Sequence, residues 1–358
     1  MAYYHSKYGG RRKKSKAHRF LLYLIALVFV AILVVGYIIY TVIYSSNVWT
    51  EGREASLYIA TGSTFDDVKA NLYKKGMIIH RNNFEWLAEK KKYPENIKPG
   101  RYILKEGMNN NELLNLLRSG NQTPVKLIFN NVRKINDLAK KVASQIEADS
   151  TSIVNLLNDT SYQKELGFNQ YTIKCIFIPN TYNVFWDITA KDFVKRMHRE
   201  FKNFWNDDRK AKAEKLKFSI PEIITLASIV EKETQKNSEK ERIAGVYINR
   251  LNRGWRLQAD PTLVYALGNF SVKRVLNEHK EIDSPFNTYK YGGIPPGPIC
   301  IPSIASIDAV LNYEEHKYLY FCAKDDLSGY HNFAKNYQQH EENARKYRRA
   351  LNKRKIWK

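Results

Sequence analysis

The sequence is short of cysteine, of clustered histidine and of acidic side chains, and each shortage excludes something. Three cysteines, Cys175, Cys300 and Cys322, are too few for a disulfide framework, and the odd number leaves at least one unpaired. Cys175 in "KCIFI" and Cys322 in "YFCAK" fall in strand-like runs, where a free cysteine packs as a small hydrophobe. The eight histidines are scattered, and HExxH, CxxC and zinc-ligand spacings do not occur. No metal and no cofactor is expected. Asp and Glu number 36 against 58 Lys and Arg, a formal net charge of +22 over 358 residues. Nucleic acid, an anionic membrane surface or an anionic polymer such as a cell wall would each suit that surplus. The composition is that of a folded chain, long enough for two modest domains or one large one.

One stretch lacks charge altogether. "FLLYLIALVFVAILVVGYIIYTVIY", Phe20 to Tyr44, has no charged residue. As a helix it would be roughly 37 Å long, enough to cross the hydrocarbon core of a bilayer with some tilt. It is too long for a cleaved signal peptide and lacks a clear small-x-small site. Before it stands "KYGGRRKKSKAHR", basic and without one acid. The positive-inside rule keeps this tail, residues 1–19, in the cytoplasm. Residues 20–44 are then a single-pass anchor in the cell (inner) membrane, and everything after Tyr44 is extracytoplasmic. A nucleic-acid role for the bulk of the chain is thereby disfavoured.

After the anchor, three segments share one plan of short strand, polar turn and amphipathic helix: "ASLYIATGSTFDDVKANLYKKG", "GRYILKEGMNNNELLNLLRSG" and "VKLIFNNVRKINDLAKKVASQI". In each the turn supplies Ser, Thr or Asn as an N-cap. Val68 with Leu72, Leu113 with Leu116 and Leu117, and Leu138 with Val142 form the inward stripes. Such β–α units either bind something or act as a spacer. "SGNQTP" at 119–124 is the linker candidate, so residues 45–124 form a small region and 125–358 a larger, mostly helical domain. The expected class is α+β. Within the larger domain, Ser219-Ile-Pro-Glu222 is a capping box, and Ser238-Glu-Lys-Glu241 reads as a second.

Between those helix starts lies "LASIVEKETQKN", an apolar run that stops at two glutamates. Glu233 continues the face of Ile223, Leu226 and Val230, whereas Glu231 projects about 160° away. Desolvation and the negative end of the helix dipole would both raise the Glu233 pKa, as a general acid requires. From geometry alone the other reading, an exposed last-turn glutamate, stays open.

Downstream stretches bear on that choice. "INRL" (248–251), "RLQADPT" (256–262), "NTY" (287–289), "PPGPI" (295–299), Gly329, His331 and Phe333, and His340 with Asn343 stand in one order behind "EKET". In these motifs, and over nearly the whole chain after the tail, the sequence resembles the MltG (YceG-like) endolytic murein transglycosylases. It departs from their pattern at Cys300, Ile301 and Asn180. The resemblance implies a membrane-anchored enzyme that cuts nascent peptidoglycan strands, with a small LysM-like β/α region before the catalytic domain. It implies Glu233 as the catalytic residue. Gln258, Asn287 and Tyr289 are candidate contacts for N-acetyl sugars, and Asp260 is either an N-cap before Pro261 or a polar holder of the sugar. Peptidoglycan strands and the membrane are the implied partners, with peptidoglycan synthases and division proteins as further candidates and nucleic acid not among them. A true muramidase and a non-catalytic wall or division scaffold are the competing readings.

Overall fold

The computed structural model describes residues 16–272 and 275–354. Most of the basic tail lies outside the described residues. The chain divides into two compact units between Thr123 and Pro124.

The first unit opens with α1 (Lys16–Tyr44), a helix long and apolar enough to cross a membrane. Then follow β1 (Ala55–Ile59), α2 (Phe65–Lys74), α3 (Arg81–Lys90), β2 (Gly100–Leu104) and α4 (Asn110–Ser119). β1 and β2 pair antiparallel, Ala55 opposite Leu104. The starts of α2 and α4 are capping boxes: Thr64 with Asp67, and Asn109 with Glu112. Each satisfies two backbone donors that a helix start would otherwise leave unpaired. Val68, Leu72, Leu113 and Leu117 are buried as the spacing predicts, but Leu114 rather than Leu116 completes the α4 stripe.

The second unit runs β3 (Val125–Ile128), α5 (Ile135–Ala143), α6 (Ser150–Asn158), α7 (Thr160–Glu165), β4 (Thr181–Val184), α8 (Ala190–Phe204), α9 (Asp207–Leu216), α10 (Ile220–Glu233), α11 (Asn237–Asn252), α12 (Asp260–Leu267), α13 (Ile304–Leu311), β5 (Tyr320–Ala323), β6 (His331–Ala334) and α14 (Tyr337–Lys353). β3 pairs antiparallel with β4, and β5 with β6. The molecule is a mixed helix-and-strand protein.

Three local expectations are corrected. The third β–α segment has no side-chain cap: Lys134 is the N-cap of α5, and the asparagines of its turn serve elsewhere. Ser238 lies inside α11, whose N-cap is Lys236, so the second capping box does not form. Cys175 is in a tight 3-10 turn, Ile173–Ile176, not a strand. It is buried all the same, and burial pushes its thiol up to about 12.

α10 is the axis of this unit. Its start holds the Ser219 capping box, with the Ser219 N–H donating to Glu222 Oε2 at 2.8 Å. Every residue from Ile223 to Glu231 is buried, because α9, α11, α12 and α13 all pack around it. Each large aliphatic side chain hidden this way contributes about 1.5–3 kcal/mol. A helix so enclosed is a rigid mount for whatever stands at its end.

Candidate active site

α10 stops because Thr234 is extended, with φ −143° and ψ 144°. The Thr234 hydroxyl accepts the Lys236 N–H at 3.0 Å and turns the chain into α11. Glu233 is therefore the last helical residue, half-buried, with its side chain beside α11. There the Tyr247 hydroxyl donates to Glu233 Oε1 at 2.5 Å. Burial drives the Glu233 pKa up, the Tyr247 hydrogen bond opposes this, the Asp260 charge adds to it and Arg250 opposes it. The result is about 7. Such a carboxyl is substantially protonated near neutrality and can still ionise.

Two cavities meet at this carboxyl. The larger, about 640 Å³, is walled by Tyr247, Arg250, Gln258, Tyr289, Tyr320 and His331 among others. The smaller, about 300 Å³, is walled by Arg133, Lys232, Val264, Phe270, Val272 and Val275 among others. Glu233 and Asp260 belong to both walls. The acid thus borders two ligand-sized spaces.

Asp260 is the first residue of α12, and Ala259 takes the N-cap position, so the N-cap expectation for Asp260 is not met. Its carboxylate instead accepts the Tyr289 hydroxyl at 2.5 Å. Gln258 has φ +50°, and its N–H donates to Thr288 O at 3.1 Å. The adjacent Ala259 N–H donates to Thr288 Oγ1 at 3.0 Å, so this turn is fastened to the "NTY" loop. Glu233, Gln258, Asp260 and Tyr289 therefore share one cavity. Asn287 does not join them. It is fully buried; its amide donates to Lys280 O and Ile282 O, both at 2.8 Å, and its oxygen accepts from the N–H of Tyr289 and Lys290. All its hydrogen-bonding capacity is spent inside the loop, which it staples.

Glu231 is more buried than Glu233, at 7% exposure. Lys240 Nζ lies 3.1 Å from Glu231 Oε2, and that oxygen also accepts the hydroxyls of Ser303 at 2.6 Å and Ser306 at 2.5 Å. Burial works against its charge, but the two hydroxyls and the lysine outweigh it and hold the carboxyl below the usual range. The two glutamates thus have opposite characters. One is an ion locked in a network; the other is an acid facing open space.

Sequence reasoning passed over Tyr247, Arg250, Arg133 and Lys232 as site residues. Tyr247 and Arg250 lie in and beside "INRL", one helical turn apart, and that spacing is a signal for a shared face. Arg250 donates to Leu319 O at 2.7 Å and Leu257 O at 2.6 Å, clamping two walls of the larger cavity. His331 is set by Glu239, whose carboxylate meets both its N–H and its Nδ1 at 2.9 Å. Among the described residues no group of three or more His, Cys, Asp or Glu is placed to hold a metal ion.

An α+β unit with a half-buried acid between two open cavities, preceded by an apolar helix long enough to span a bilayer, is the framework the chain presents. The YceG-like family profile matches residues 57–346, and the chain belongs to that family. It is 28% identical over 308 residues to a protein of Bacillus subtilis (strain 168) named endolytic murein transglycosylase, covering 82% of this chain and 84% of that one. A protein of the same name from Streptococcus pneumoniae (strain D39) is 28% identical over 319 residues, which make up 80% of this chain but 57% of the relative. A crystal structure of a yceG-like protein from Listeria monocytogenes aligns with TM-score 0.54 at 26% identity, over 82% of this chain and 99% of that one.

Proposed function

We propose that this protein is a membrane-anchored endolytic lytic transglycosylase that cleaves the β-1,4 bond between N-acetylmuramic acid and N-acetylglucosamine in nascent peptidoglycan. The observation that carries the reading is the Glu233 carboxyl, pushed to about 7 by burial and placed where two cavities meet. An acid that borders two cavities suits a cut within a strand. The names of the Bacillus and Streptococcus relatives agree with it.

In this reading Glu233 gives its proton to the glycosidic oxygen as the bond from that oxygen to the muramic acid C1 breaks. The electron pair leaves with the N-acetylglucosamine, whose hydroxyl keeps the proton. The C6 hydroxyl of the same muramic acid then bonds to C1, and its proton passes to the Glu233 carboxylate. The acid is regenerated, no water is consumed, and the strand ends in a 1,6-anhydro sugar. One carboxyl serves both steps. A hydrolase would need a second one, at about 5 Å if retaining or about 6.5–9.5 Å if inverting. Tyr247 orients Glu233, while Asp260, Tyr289 and Gln258 line the sugar path.

Residues 20–44 of the α1 helix are the anchor, with residues 1–19 cytoplasmic and everything after Tyr44 outside; the β/α region 45–124 follows it in the chain, before the catalytic domain 125–358. Muropeptide analysis tests the assignment. Glu233→Gln, still folded, yields no anhydromuramoyl ends from purified strands; normal yield from that variant refutes it.

A further inference from the structure

The two cavities beside Glu233 differ in chemistry. The smaller has an apolar wall of Val264, Phe270, Val272 and Val275 and two cations, Arg133 and Lys232. Among the described residues, neither cation has a carboxylate within salt-bridge distance. Of the nearby acids, Glu231 pairs with Lys240 at 3.1 Å, while Asp260 and Glu233, which line the cavity themselves, accept the Tyr289 and Tyr247 hydroxyls, each at 2.5 Å.

What the two cations do have is orientation. Lys232 Nζ donates to Asn131 Oδ1 at 2.5 Å, and the Arg133 guanidinium lies 4.6 Å from the centre of the Phe270 ring. Asn131 has φ +45° and its amide also reaches Glu231 Oε1 at 3.4 Å, so the loop carrying Arg133 is tied to the end of α10. Both cations are half-buried. Cations partly withdrawn from water without a counter-ion are unfavourable until an anion arrives. Burial holds the Lys232 ammonium below its usual range, and the nearby Arg133 adds to that effect, while Glu231 partly offsets it. A bound carboxylate would relieve both.

The larger cavity is built otherwise. Its wall carries the rings of Tyr320, Tyr337 and His340, with Tyr320 stacked on His340 at 5.3 Å. Of its cations, Arg250 is held by two backbone carbonyls, and Lys280 donates to Asn277 Oδ1 at 3.1 Å much as Lys232 does to Asn131, so the rings rather than the charges set this cavity apart. Flat apolar rings suit the carbon face of a neutral sugar.

We propose that the smaller cavity is a carboxylate subsite, in which Arg133 and Lys232 hold the anionic substituent of the muramic acid beside Glu233. The strand then lies with muramic acid on the cationic side of the acid and neutral N-acetylglucosamine on the aromatic side. This rests on the function proposed above. The carboxylate comes either from the lactyl group of a peptide-free sugar or from the stem peptide of a substituted one.

The test uses full-length protein and four substrates: peptide-bearing strands and amidase-denuded strands, each with carboxyls free or blocked as neutral amides. Blocking lowers wild-type kcat/KM by about tenfold or more, the size expected for a charge-assisted contact. Arg133→Gln cuts free-carboxyl and blocked strands with nearly equal kcat/KM, whatever its absolute rate, while Arg133→Lys keeps part of the preference. Because the readout is a ratio within each variant, partial misfolding does not imitate it. A blocking effect on denuded strands assigns the lactyl carboxylate, and one on peptide-bearing strands assigns the stem. Equal wild-type rates on free and blocked strands, or an Arg133→Gln variant that discriminates as wild type does, overturn the subsite. Failure of wild type to cut any strand overturns the underlying reading instead.

Discussion

The Tyr247 hydroxyl stands 2.5 Å from Glu233 Oε1, one side chain from the second half of α11 and the other from the very end of α10. This bond stabilises the ionised carboxylate and so limits how far burial can raise the Glu233 pKa. A group that must be protonated to act loses activity as pH rises through its pKa. The kcat/KM profile of the wild type should therefore fall above pH about 7. In Tyr247→Phe the falling limb moves to higher pH, and kcat drops by about ten- to a hundredfold because orientation is lost. A profile that keeps its midpoint means Tyr247 only fills space.

Glu233 and Glu231 should affect stability with opposite pH signs. The folded pKa of Glu233 is raised, so its contribution is fully present below the unfolded value of 4.5 and is lost as pH rises to about 7. Glu233→Gln removes that liability. It should match wild type near pH 4 and be more stable at pH 8, by roughly 1–3 kcal/mol. Thermal melts at the two pH values check it.

For Glu231 the folded pKa is depressed, so its contribution is present above 4.5 and is lost as pH falls through the folded value. Removing one partner of a buried pair leaves the other charge uncompensated. Glu231→Gln should destabilise the protein by about 3–5 kcal/mol at neutral pH through the stranded Lys240 ammonium. Glu231→Gln combined with Lys240→Met should recover much of that loss in urea unfolding. The activity lost in the single variant is then a folding defect, distinct from that of Glu233→Gln.

Gly297, within "PPGPI", is required by close approach. A Cβ there would lie 2.1 Å from the Tyr171 carbonyl oxygen, a backbone atom that cannot rotate away. The same loop is fastened to α10, with the Ile299 N–H donating to Ser228 Oγ at 3.0 Å. Gly297→Ala should destabilise by about 1–3 kcal/mol or more and displace the wall of the smaller cavity. A melting temperature equal to wild type would contradict the packing described.

Local rules were readable where local chemistry decided the outcome. The Ser219 box and the continuation of the α10 apolar face to Glu233 followed from spacing, and Thr64 and Asn109 are caps of the residue types their turns supply. Glu231 shows where such reading stops. Periodicity assigns one buried face, but α10 is enclosed on every side, so a residue on the far face is buried too and carries its own counter-ion from α11. Asn287 looked like a sugar contact because it is polar and sits in a motif; its loop consumes all of its hydrogen bonds. Arg133 and Tyr320 reach the cavities from segments far apart in the chain, and only the packing of those segments brings them together.

The central claim is that one carboxyl cuts the strand with no water entering the product. Digestion of purified glycan strands in heavy-oxygen water, followed by mass spectrometry of the new ends, measures this directly. Wild type should give unlabelled ends lighter by one water than a hydrolysis product, and Glu233→Gln should give none. Ends that carry the heavy oxygen would contradict the account and make the enzyme a hydrolase.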